Sequence, residues 1–117
     1  MSKRDQITVN RIRDCYEYLG LEPVNGTFQL VPTKTGYGCC PLSVWMLTMG
    51  HSSLDDSGIA RAAKVHRILG AQWAHGFMHA YDENEVTTLL EYENPDYKEG
   101  FERGKQILQA LPPVELA

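Results

Sequence analysis

No stretch of this chain approaches the roughly 18 consecutive apolar residues that a membrane-spanning helix needs. The N-terminal MSKRDQITVNR carries charge but no apolar run of the secretory-signal kind. Cysteine is scarce and odd in number, with Cys15, Cys39 and Cys40 only. Three cysteines without an export signal do not make a disulfide framework. No CxxC pair is present, which removes the usual zinc-ribbon spacing. The P-loop, the Rossmann fingerprint and the GxSxG nucleophile turn are missing as well. These absences point to a cytoplasmic protein in a reducing compartment, with no membrane partner and no common nucleotide or hydrolase motif.

Basic residues are scarce in one region. Residues 82–102 hold Asp82, Glu83, Glu85, Glu91, Glu93, Asp96, Glu99 and Glu102 against Lys98 alone, in a chain of net charge −4. A segment of that sign repels phosphate backbones, so nucleic acid is not an expected partner. The ordinary role of such acids is a solvated surface.

What remains is the composition of a globular protein. The chain has 117 residues, 43% hydrophobic and 22% charged, which fits a single domain over 1–117 that buries roughly two-thirds of its unfolded surface. Residues 1–4 and 112–117 read as loose termini. Ile12, Cys15, Tyr16 and Leu19 form an i, i+3, i+4, i+7 stripe, so a helix is expected over 5–19, stopped by Gly20. Asn25-Gly26 between two short extended runs predicts a β-hairpin near residues 21–31, with 36–38 as a loop or a third strand. Pro41 opens a helix to Gly50 that is apolar nearly all round and is expected at the centre of the fold. Ser53, Asp56 and Ser57 offer N-caps for a helix to about Leu69 whose inner face would be Ile59, Ala62, Ala63 and His66. Gly70 separates it from a helix over 71–82. Residues 83–93 read as a loop with at most one helical turn. Asn94-Pro95-Asp96 then starts a last helix that ends before Pro112. The fold class expected is therefore mainly α, about five helices in one small globular bundle with a short β-hairpin.

Two helices share a pattern. WAHGFMHAYD (73–82) and YKEGFERGK (97–105) each place an aromatic three residues before Gly-Phe, with a small residue four beyond the glycine. Gly76 and Ala80, and likewise Gly100 and Gly104, therefore lie on one helix face each. Interior glycine costs a helix about 0.8–1 kcal/mol relative to Ala. Its retention predicts close-packing helix faces, read first as a tight intramolecular crossing, then as a self-association seam or a small-molecule slot between the helices.

Three constellations carry chemistry. His75 and His79 stand at i, i+4, with Asp82 on the same face, a spacing that can chelate zinc. The helical wheel sets that face opposite Trp73 and Phe77, where a plain solvated surface is the commoner outcome. Cys40 precedes Pro41 at a helix start, where the positive helix end favours a thiolate nucleophile; a buried inert thiol is more usual. The run from Asp82 to Glu93 imitates a calcium loop but has Val86 and Thr87 where an oxygen ligand and glycine are required. A helix-turn-helix around Gly70 lacks a basic row. The chemistry thus reads as a non-enzymatic accessory or regulatory module acting through protein–protein contact or self-association, without a cofactor. The alternatives are a small zinc- or cysteine-dependent enzyme and a small-molecule binder.

Overall fold

The computed structural model describes residues 2–82 and 93–117. The expectation for 83–93 falls on residues that lie, but for Glu93, outside the described ones. The fold class is mainly α with a small three-stranded sheet. Among the described residues no helix is long and apolar enough to cross a membrane.

A single 3-10 turn at Arg4–Gln6 precedes α1 (Val9–Leu19). The turn and the helix are distinct because Thr8, in extended backbone, caps α1 by accepting from Arg11 N–H. α2 (Pro41–Thr48) starts on Pro41 and buries every residue of its first six, as a helix apolar on all sides must. α3 (Gly58–Leu69) is capped by the Ser57 hydroxyl, which accepts from Ala60 N–H. α4 (Ala71–Tyr81) follows after Gly70 alone, whose φ of 93° breaks the run. α5 (Pro95–Ala110) is capped by Asn94, which accepts from the N–H groups of Asp96 and Tyr97.

The strands pair differently from a 21–31 hairpin. β1 (Glu22–Pro23) runs parallel to β3 (Tyr37–Cys39), and β2 (Val31–Pro32) runs antiparallel to it, so the later strand is central. The Asn25-Gly26 turn exists, with Gly26 at φ 77°, but its flanks do not meet. The backbone groups beyond it are committed elsewhere: Thr27 O accepts from Cys40 N–H at 3.3 Å, and Phe28 O from Ser43 Oγ at 2.7 Å and Arg61 Nη1 at 2.6 Å. A backbone whose acceptors are already satisfied has little to gain from the ladder. Pro23 and Pro32 sit on the two edges, where a missing N–H is tolerated.

The segment after α5 is tied to the sheet. Val114 N–H donates to Pro23 O, Ala117 N–H to Pro32 O, and Leu116 bridges Thr33. At the other terminus Arg4 Nε donates to Leu69 O and Nη1 pairs with Asp96.

The core joins Ile12, Cys15 and Tyr16 of α1 to α2, to Val65 and Leu69 of α3, and to Trp73, Phe77 and Tyr81 of α4. The inner face of α3 is Arg61, Val65 and Leu69. The expected face was a different one: Ile59 is 86% exposed and His66 points to water. The i, i+4, i+8 stripe was disguised because its first member is an arginine. Arg61 is fully buried; it donates through Nε to Ser52 Oγ, Nη1 to Phe28 O and Nη2 to Ser53 O.

Candidate interaction cleft

The residues that sequence spacing singled out occupy three different environments. Cys40 is wholly buried at the start of α2, with Sγ 3.5 Å from Ser43 Oγ. Burial pushes its thiol up to about 11 despite the Ser43 hydrogen bonds that oppose the shift. Burial raises Cys39 and Cys15 as well. Desolvation opposes the thiolate that the helix end would favour.

His75 and His79 stack with ring centroids 3.9 Å apart. They are half-buried rather than wet, because Tyr97 of α5 lies over them: its hydroxyl is 2.7 Å from His79 Nδ1 and its ring 5.6 Å from that of His75. The expected solvated face is therefore part of the α4–α5 seam. Asp82 caps the C-terminus of α4 and turns to the 25–26 turn, where Oδ1 accepts from Gly26 N–H at 2.8 Å. Among the described residues no three His, Cys, Asp or Glu side chains assemble as a metal-ligand group.

The small residues lie in that seam. A Cβ built on Gly76 would fall under 3.0 Å from the Tyr97 carbonyl, one on Gly100 likewise from Trp73, and one on Gly104 from the Phe77 carbonyl oxygen, with Ala80 alongside at 3.0 Å. The two backbones touch where Gly76, Ala80, Gly100 and Gly104 leave them bare. No slot for a small molecule remains between the helices at these positions.

A concave feature lies on the other side of α4. A cleft of about 480 Å³ is bounded by the 26–29 loop, the first turn of α3 and the end of α4. Phe28, Ile59, Ala62 and Met78 give it an apolar lining, and Asp82 adds a carboxylate to it. Arg61 builds the cleft without lining it, since its bond to Phe28 O ties the loop to α3. Beyond it, Ser52 Oγ donates to Asp56, which also pairs with Lys64. Those hydrogen bonds hold the Asp56 carboxyl well below its ordinary range. Asp82 goes the other way: burial raises its pKa, while the Gly26 N–H and the nearby His79 oppose the rise. Periodicity did not reveal this cleft, because its walls come from a loop and two helix ends. The Arg61–Val65–Leu69 spacing was the one signal that could have oriented α3 correctly.

Comparison of the chain with models of known protein families, with curated proteins and with solved structures gave no match.

Proposed function

We propose that the protein is a non-enzymatic cytoplasmic interaction module that engages a partner protein through the cleft between the 26–29 loop, α3 and α4. The observation that carries the reading is Ile59, 86% exposed while lining an apolar cleft. A lone exposed apolar residue is ordinary; one continuous with an apolar concavity is the form of an anchor-and-pocket contact. The burial of Cys40, with its raised thiol, supports the same reading against thiol catalysis.

The test compares the full chain with Ile59→Asp as baits. The exposed position should leave the thermal midpoint unchanged, while the proteins retained by wild type are lost from the variant. Equal retention by both baits removes this reading. A concentration-dependent rise in mass that Ile59→Asp abolishes would identify the partner as a second copy.

Zinc binding is favoured by one observation, the approach of the His75 and His79 rings. Calorimetric titration of untagged protein with zinc decides it: stoichiometric binding lost in His79→Ala supports it, and no stoichiometric binding ends it.

A further inference from the structure

Asp82 is an unusual residue to find lining an apolar cleft. Its Oδ1 is used by Gly26 N–H, and no described residue donates to Oδ2. Three ion pairs occur among the described residues, Arg4–Asp96, Lys34–Glu115 and Lys64–Asp56, and none includes Asp82. The carboxylate also follows the last turn of α4, so it stands at the negative end of a helix. Anions are disfavoured there and cations favoured. A half-buried carboxylate with one oxygen unused by any described residue, placed at a helix C-terminus, thus leaves a local excess of negative potential in an apolar surround. Burial raises its pKa, against the opposing effects of the Gly26 N–H and His79.

Deepening the interaction reading, on which this step rests, we infer that the cleft takes a lysine or arginine side chain of the partner protein, its charge on Asp82 and its aliphatic stem over Phe28, Ala62 and Met78. Long basic side chains combine an apolar stem with a charged head, and the cleft lining offers both an apolar surface and a carboxylate. The shared negative character of the carboxylate and the helix end is complementary to a cation alone. Ile59 then covers the partner's flanking backbone.

The experiment is a titration of the isotope-labelled full chain, followed by amide chemical shifts. The probes are capped tripeptides with Arg, Lys, norleucine or Glu at the centre. Arg and Lys peptides should shift the amides of Gly26, Gly58 and Ala62 saturably. The norleucine peptide, with the stem but no charge, should bind about tenfold more weakly, and the Glu peptide more weakly still. In Asp82→Asn, whose amide oxygen can still accept from Gly26 N–H, the Arg peptide should fall to the norleucine level. Equal affinity for Arg and norleucine, unchanged Arg affinity in Asp82→Asn, shifts centred elsewhere, or no saturable shift with any peptide each overturns the proposal. Charge-indifferent binding would leave the interaction reading standing, because that reading fails on the separate result that Ile59→Asp retains every partner.

Discussion

At the scale of single residues, burial decides which side chains can do chemistry, and sequence spacing does not show burial. Cys40 illustrates this. Its place before Pro41 at a helix start was legible, and so was the electrostatic argument for a thiolate. The complete enclosure that reverses the argument comes from residues far along the chain, among them Tyr16 and Tyr81 of the same core. Ellman's reagent at about pH 8 should therefore label none of Cys15, Cys39 and Cys40 within minutes in the folded protein and all of them after unfolding, since reaction needs an accessible thiolate. Fast labelling of any one would contradict the account. Arg61 is the opposite case, a charge that looks like surface and is core. Arg61→Met should cost about 2–4 kcal/mol, because three acceptors lose a charged donor and the 26–29 loop loses its tie to α3. Arg61→Lys should restore little, since one ammonium does not reproduce the planar fork. Denaturant unfolding of the two variants measures both effects.

The two aspartates near the cleft have opposite pH signatures. Asp56 has a lowered folded pKa, so its stabilisation is full above the unfolded value of about 3.9 and is lost as pH falls through the folded value. Asp82 has a raised folded pKa. The folded state therefore holds that proton more tightly, and the associated stability is present below about 3.9 and lost as pH rises through the folded value. The raised pKa makes the ionised form of Asp82 a cost to the fold. Asp82→Asn should leave the thermal midpoint at pH 7 equal or higher, whereas Asp56→Asn should lower it. A clear drop in Asp82→Asn would show that the carboxylate is structural and not held for a ligand.

At the scale of elements, helix ends were the most legible feature, because local chemistry fixes them. Pro41, Ser57 and Asn94-Pro95 start helices, and Gly20 and Gly70 stop them, by interactions contained within a few residues. Faces were legible only where the apolar stripe is pure. α1 satisfies that condition, and so does the Trp73–Phe77–Tyr81 side of α4; the histidine side of α4, expected in water, packs against Tyr97, and the α3 stripe is headed by Arg61. Strand pairing was the least legible, since the partner of β1 is chosen by where α2 and α3 take the intervening backbone groups. The spacing of Gly76, Ala80, Gly100 and Gly104 pointed to a close crossing, and that is where the α4 and α5 backbones approach. Gly100→Ala tests the geometry. Ala gains about 0.8–1 kcal/mol of helix propensity, yet its Cβ would meet Trp73 backbone, which cannot rotate aside. Overpacking of this kind costs about 1–3 kcal/mol. We expect net destabilisation in thermal unfolding; a more stable Gly100→Ala protein would mean that the helices are further apart.

At the scale of the whole molecule, the fold separates two sides of α4. One side is sealed against α5, and the His75–His79–Tyr97 cluster belongs to that seal. The other borders the cleft, whose lining takes Met78 and Asp82 from α4 and its end and Ile59 from α3. On the proposed reading, the glycine helices serve stability and the cleft serves binding. The most direct measurement places a photo-crosslinking side chain at position 59 of the full chain and, as a control, at exposed position 106 on α5. Irradiation in cells should give a discrete adduct from position 59 and none from position 106. Adducts of equal yield from both positions, or from position 106 alone, would contradict the assignment of the cleft as the partner-binding face.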